Sequence, residues 1–196
     1  MEKLAGMTGI VLAGGNSRRM GRDKAWLSLR GRPLVSHQAG LLATVFSDVR
    51  ISAKQPARFR ELAYPIVCDR HAGSAAIFGL EAALREAFQP IFVLAVDLPR
   101  VPPGLIRAIG KRLLAGNADC VVPRTSNRLQ TVCAAYRPTV LPALERMITE
   151  HRLALKDLAA EVASEIWEEE GWQAWAKAED FRGLNTPEDY ETLNVR

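Results

Sequence analysis

Cysteine and histidine are scarce in this sequence and long apolar runs are absent, and each shortage removes a class of protein. Cysteine occurs at 68, 120 and 133 only. An odd count, at spacings that match no zinc motif, argues against a disulfide framework and against a structural metal. Each cysteine stands in or beside a β-like apolar run, as in Cys120-Val121-Val122, so buried free thiols are expected. The histidines are His37, His71 and His151. None belongs to a Ser/His/Asp or Cys/His set, which leaves a covalent mechanism unsupported. His71, in a polar loop, is read as solvent-facing. No apolar stretch approaches the ~20 residues that a membrane helix needs. Residues 1–7 are too few and too polar for a secretory signal. A cytoplasmic protein with no membrane partner is expected. The net charge is only +4 and no long Lys/Arg stripe appears. That balance suits a small anionic substrate and excludes an electrostatic footprint for nucleic acid.

What is present is an ordinary globular composition. Of 196 residues, 48% are apolar and 24% charged, enough for one substantial core. No repeat, linker or low-complexity segment interrupts the chain, so residues 1–196 are read as one domain. Apolar runs at 10–13, 49–53, 64–68, 90–96 and 120–123 predict strands. Helical spacing of apolar residues predicts helices over 34–46, 75–88 and 105–114, with Pro102-Pro103 marking a start. Residues 25–29 read as a short extended piece, 30–33 as a turn and 58–62 as a short helix. The run at 90–96 is the most apolar and suits a central parallel strand buried on both faces. Residues 128–136 read as a strand pairing antiparallel at the sheet edge. Beyond it, 139–149 and 153–162 read as helices, 164–167 as a last strand and 168–170 as a solvated acidic turn. Near the end, Thr186 suits an N-cap, Pro187 the first helical position and Asp189 the first turn. Strands alternating with helices predict an α/β fold: an open, mostly parallel sheet flanked by helices on both faces. Ligands bind such sheets beyond the carboxyl ends of the strands.

One stretch carries more chemistry than the rest. Residues 9–27 read GIVLAGGNSRRMGRDKAWL. An apolar strand runs into Gly14-Gly15, whose adjacency permits a tight backbone path and close approach of N–H groups to an anion. Arg18, Arg19 and Lys24 supply positive charge where a triphosphate would sit. Ser17 has a hydroxyl to donate to phosphate or to the turn. The stretch is not a Walker loop, because Gly15 and Gly21 stand one residue too far apart and Arg22 follows Gly21. Nor is it a dinucleotide fingerprint, because Gly14-Gly15-Asn16 does not fit G-x-G.

Two carboxylates fall just past other strand ends. Asp97 follows the most apolar run, where a carboxylate is rigidly held. Magnesium bound to nucleotide phosphates takes one or two carboxylates plus water, so Asp97 is the metal candidate. Asp69 ends the 64–68 run and either helps to hold the metal or nucleotide or caps the next helix. The pattern alone thus sets a basic glycine loop, Asp69 and Asp97 along one edge of the sheet. Trp167, Trp172 and Trp175 cluster near the end and are read as packing for the C-terminal helices. Metal, positive charge and positioning suffice for direct phosphoryl-type chemistry.

The pattern L-A-G-G-x-S-x-R-M-G-x-D-K resembles the signature loop of nucleotidyltransferases with a Rossmann-like nucleoside-triphosphate-transferase fold. In that form it most resembles molybdenum cofactor guanylyltransferases. Gly31-Arg32-Pro33-Leu34 is similar to that family's G-x-P-L. Residues 129–136 resemble its Q-P-L-x-A-x-Y strand, with Thr131 where proline is usual. Residues 184–189 resemble its closing N-x-N-T-P-E-D, with Gly183 replacing the first asparagine.

The resemblance implies that Leu12, Ala13, Gly14, Gly15 and Lys24 contact the nucleotide. It implies that Asp69 binds the nucleotide and that Asp97 binds nucleotide and Mg2+. Ser52 falls where the family places a nucleotide-contacting asparagine. Lys24, Asp97 and Arg19 would be the catalytic set. The implied reaction moves GMP from GTP to the terminal phosphate of molybdenum-loaded molybdopterin, with transient contact to the molybdenum-insertion protein and to acceptor molybdoenzymes or their chaperones. One segment departs: where the family carries G-P-L-A-G, the nearest match in this chain is residues 75–79, or alternatively 73–76, and Ile77 and Phe78 are expected to narrow or reshape the wall beside the base. The residues leave open a cytidylyltransferase, a related enzyme for another phosphorylated acceptor, and a nucleotide-binding module without turnover.

Overall fold

The computed structural model describes residues 2–14 and 23–194. In chain order the elements begin with β1 (Leu4–Leu12), the hairpin strands β2 (Ser28–Leu29) and β3 (Arg32–Pro33), and α1 (Leu34–Ala43). Next come β4 (Phe46–Ala53), β5 (Ile66–Cys68), α2 (Ala76–Ala87), β6 (Ile91–Ala95), α3 (Pro103–Ala115) and β7 (Cys120–Thr125). The rest are β8 (Arg128–Leu129), β9 (Cys133–Tyr136), α4 (Leu141–Thr149), β10 (Ser164–Trp167), α5 (Glu169–Trp172) and α6 (Pro187–Asn194).

The main sheet runs β10-β7-β9-β6-β1-β4-β5, with β8 paired to β7. β1 is parallel to β4 and β6, β4 to β5, and β10 to β7. Only β9 reverses within this path, antiparallel to both β6 and β7. β6 is therefore central, as its composition predicts, but parallel on one side only. The strand expected at the sheet edge is inside it. Residues 128–136 split: β8 forms a hairpin with β7, and β9 inserts between β6 and β7. The cause lies in Cys133-Ala134-Ala135-Tyr136, all four buried, which must be covered on both faces. The half-exposed β10 takes the edge instead.

Alternation along the strands feeds two cores. Phe92 and Leu94 of β6 face one core with Val11, Ile51, α1 and α3. Ile91 and Val93 face the other with Ile10, α2 and α4. Helices thus cover both faces. Helix α1 stops at Ala43 rather than 46 because the buried Phe46 already begins β4. Residues 24–26 form a 3-10 turn before β2, and Leu155–Ala160 is a 3-10 turn rather than a longer helix. Residues 168–170 are not a simple acidic turn: Glu168 pairs with Arg124 at 2.9 Å and Glu169 starts α5. That short helix carries the fully buried Trp172 onto Phe181, ring centroids 5.1 Å apart.

Cys120 and Cys133 are buried free thiols and Cys68 is half-buried. Burial pushes both buried thiols up, so they stay protonated. No helix of the described residues is long and apolar enough to cross a membrane.

Phe92 is fully buried and stacks on Phe46 at 5.8 Å between centroids. Phe92→Ala is expected to lower unfolding free energy by about 3–5 kcal/mol. Urea denaturation followed by circular dichroism should show an earlier midpoint with an unchanged slope.

Candidate active site

The carboxyl ends of β1, β4 and β6 meet at one point on the sheet edge. Past β1, Ala13 N donates to Ser52 O at 2.8 Å, and Val96 N donates to Leu12 O at 3.1 Å. Above this junction is a cleft of about 420 Å3. Leu12, Ala13, Gly14, Lys24, Ser52, Asp69 and Asp97 all line it. Gly15 and Arg19, with Ser17 and Arg18, lie outside the described residues.

One wall comes from the start of α2. A Cβ added at Gly79 would stand 2.9 Å from Ser52 Oγ and 3.2 Å from Leu12 Cδ2, so glycine lets the helix settle on the strand ends. Ser52 Oγ donates to Gly79 O at 3.3 Å, and the residue is 2% exposed. Ser52 therefore lines the cleft while its hydroxyl is spent on the helix. Ser74 Oγ donates to Gly14 O at 3.0 Å, tying the preceding loop to the end of β1. Ala75, Ala76 and Gly79 face the cleft. Ile77 and Phe78 do not narrow it: their helical positions turn them into the α2–α4 core, where both are buried.

The loop after β5 is braced twice. Asp69 is buried, and its Oδ1 accepts from His71 N at 3.0 Å. Lys54 Nζ donates to His71 O at 2.9 Å and also to Gly73 O. His71 is not simply solvent-facing: its ring stacks on Phe78 at 4.6 Å, and its Nε2 lies 3.3 Å from Glu81 Oε2.

At the other end of the cleft, Lys24 Nζ donates to Asp97 Oδ2 at 3.0 Å and to Asn185 Oδ1 at 3.1 Å. Asp23 shapes the turn that presents Lys24. Its Oδ1 accepts from Ala25 N at 3.0 Å, and its Oδ2 pairs with Arg58 at 2.7 Å. Asn185 belongs to the segment capping α6, where Asp189 Oδ2 accepts from the N–H groups of Asn185 and Thr186, each at 3.0 Å. Thr186 Oγ1 accepts from Asp189 N at 3.2 Å, so the predicted cap is formed. The Asn185 N–H holds the Asp189 carboxyl below its ordinary value. Leu184 N donates to Asp97 O at 2.9 Å, docking this segment on the turn after β6.

Sequence reasoning missed four contributors: Asp23, Ser74, Asn185 and Gln38. Gln38 is the least obvious. It is fully buried on α1, and its Nε2 donates to Ala95 O at 3.2 Å and Leu98 O at 2.9 Å. Those carbonyls bracket Asp97, so the amide clamps the turn that carries the carboxylate. The available signal was an amide inside an apolar helical stripe, Leu34-Val35-Ser36-His37-Gln38-Ala39.

A mostly parallel sheet with cation, carboxylates and close-approach backbone at its carboxyl edge defines an α/β nucleotide-handling domain. A family model, the MobA-like NTP transferase domain, matches residues 9–165, and the chain belongs to this nucleotidyltransferase family. A protein of Pelotomaculum thermopropionicum, named "Probable molybdenum cofactor guanylyltransferase", is 34% identical over 96% of this chain and 92% of its own length. The "Molybdenum cofactor guanylyltransferase" of Cereibacter sphaeroides is 32% identical over 92% of each. Among solved structures, molybdopterin-guanine dinucleotide biosynthesis protein A of Archaeoglobus fulgidus superposes with a TM-score of 0.85. That match covers 96% of this chain and 97% of the other, at 22% identity, and speaks for the fold.

Gln38→Leu keeps the volume and removes the clamp. Leaving Leu98 O without its donor is expected to cost about 1–3 kcal/mol. Thermal unfolding should report the loss, and the Gln38→Glu variant should restore part of it below neutral pH, where a protonated carboxyl donates.

Proposed function

We propose that this protein transfers GMP from GTP to the terminal phosphate of molybdenum-loaded molybdopterin and releases pyrophosphate. The observation that carries the reading is the junction of Lys24, Asp97 and the glycine-bearing end of β1 in one cleft, in a chain whose full-length relatives bear the guanylyltransferase name. In this reading residues 1–196 act as one nucleotidyltransferase domain.

The main-chain turn at Ala13 and Gly14 cradles the phosphates, and Lys24 brings a compact positive charge to them. Asp69 and the small wall of Ala75, Ala76 and Gly79 border the nucleoside. Asp97, steadied by Gln38 from beneath and by Leu184 N–H from above, is the residue to hold Mg2+. One or two carboxylates with phosphate oxygens and water are the donor set that this hard cation takes. Among the described residues no group of three or more ligating side chains gathers, so the cation would share its shell with the nucleotide. Bound there, Mg2+ supplies charge neutralisation on the phosphates.

An oxygen of the acceptor phosphate attacks the α-phosphorus of GTP. The bond from that phosphorus to the oxygen bridging toward the β-phosphate breaks, and its electron pair leaves with pyrophosphate. The protein's work is to align the two phosphates and offset their charge. Lys24 does so at a fixed point because Asn185 and Asp97 hold its ammonium from two sides.

Pyrophosphate release tests the reading with GTP, CTP, ATP and UTP in turn, with and without the acceptor, in the presence of Mg2+. Release is expected only with GTP plus acceptor. Release with CTP would move the base assignment, and release with none would overturn enzymatic transfer. Asp97→Asn and Lys24→Met are each expected to lower kcat about 10²–10³-fold, with thermal unfolding close to that of the parent.

A further inference from the structure

A second cleft lies on the same carboxyl edge of the sheet, beside the first. It has a volume of about 690 Å3 and is lined by Arg124, Asn127, Arg128, Thr131, Lys156 and Asp157, among others. The two clefts are neighbours along the chain: Val132 lines the first and Thr131 the second. Ala95 N donates to Val132 O at 2.8 Å, which pins this junction to the end of β6. β9 separates β6 from β7. With strands about 4.8 Å apart, the end of β7 stands roughly 10 Å from the Asp97 turn.

The second cleft is cationic and firmly built. Three cations face one carboxylate on its lining. Arg124 spends its charge on Glu168 at 2.9 Å. Arg128 and Lys156 are exposed, and no ion pair among the described residues engages either. The frame beneath them is held by side chains. Trp172 Nε1 donates to Arg124 O at 3.1 Å, Gln130 Nε2 to Thr125 Oγ1 at 2.6 Å, and Tyr136 OH to Thr131 O at 2.7 Å. Thr131 also brings a hydroxyl-bearing residue to the lining.

We propose that this second cleft is the acceptor subsite, in which Arg128 and Lys156 bind a second anionic group of the phosphorylated acceptor. The acceptor class is thus a small molecule with a phosphate at one end and another negative group at the other, long enough to reach from the first cleft into the second. The inference rests on the transfer reading for the place of the phosphate. It adds the residues that select the acceptor rather than the nucleotide.

The test is Arg128→Gln and Lys156→Gln, singly and together, with Arg128→Lys as the conservative variant and Lys111→Gln, exposed on α3, as a control for net charge. Each single change is expected to raise the acceptor KM about tenfold. The GTP KM should stay at the parent value, Arg128→Lys should recover most of the loss, and Lys111→Gln should leave both constants alone. Calorimetric titration of molybdenum-loaded molybdopterin into each protein reads binding without turnover and should weaken in the same order. An unchanged acceptor affinity in the double variant would overturn the subsite. So would a GTP KM that rises in step, because the charge would then serve the nucleotide. If the parent releases no pyrophosphate from any nucleotide, the transfer reading fails by itself. The titration still decides the cleft: weaker binding in the double variant upholds it, and equal binding or none in the parent removes it.

Discussion

The contact between Lys24 and Asp97 holds the candidate site together, and three distant parts of the chain are needed to make it. Lys24 follows the glycine-bearing stretch of sequence, Asp97 follows the central strand 73 residues later, and Asn185 reaches the same ammonium from 161 residues away. A short-range motif could present a lysine by itself. It could not fix that lysine against a carboxylate whose position depends on the finished sheet. The site is therefore a consequence of the global fold, and its geometry is as good as the packing of β1, β4 and β6 beneath it.

That dependence explains the amount of buried polar bracing around one turn. Asp97 sits where β6 ends and the chain must change direction, so its neighbours' carbonyls lose their sheet partners. Gln38 answers for Ala95 O and Leu98 O, and Leu184 N–H answers for Asp97 O. A buried carbonyl without a donor is costly, and a turn with several would drift among conformations. Supplying donors from α1 on one side and from the C-terminal segment on the other leaves the Asp97 carboxylate little freedom except at its side chain.

The sequence made the α/β class legible because fully buried strands and amphipathic helices have different apolar periods, and both periods are clean here. The carboxyl-edge site was legible for the same reason: Gly14, Asp69 and Asp97 each follow a run that had to be a strand. The place of β9 was not. An apolar run of four residues reads alike at an edge and in the interior, and its direction depends on a connection whose length does not announce it. The orientation of Ile77 and Phe78 was misjudged because their distance from the loop along the chain suggested the cleft. The helical turn sends them to the opposite side of the wall from Ala75 and Ala76. Gln38 left only a weak signal for a different reason: an amide in a helix is usually a surface residue, and only the end of β6 above it gives it a buried partner.

The two clefts divide the recognition problem along the sheet edge. The first is bordered by backbone and small side chains, with charge among the described residues on Lys24, Asp23, Asp69 and Asp97, which suits a ligand read through its phosphates and its shape. The second carries long cationic side chains on a hairpin and a 3-10 turn. Long flexible cations on connecting segments adapt to a ligand, whereas backbone at strand ends does not. Some surface arginines are committed to carboxylates, as Arg85 is to Glu81 and Glu145, and Arg152 to Glu150 and Glu161. Arg128 and Lys156 line the second cleft and present their charge on the same carboxyl edge of the sheet as Lys24 and Asp97. In the proposed reading a rigid nucleotide pocket stands next to an adaptable cationic one, the arrangement expected when one substrate is fixed in kind and the other must be accepted, aligned and let go.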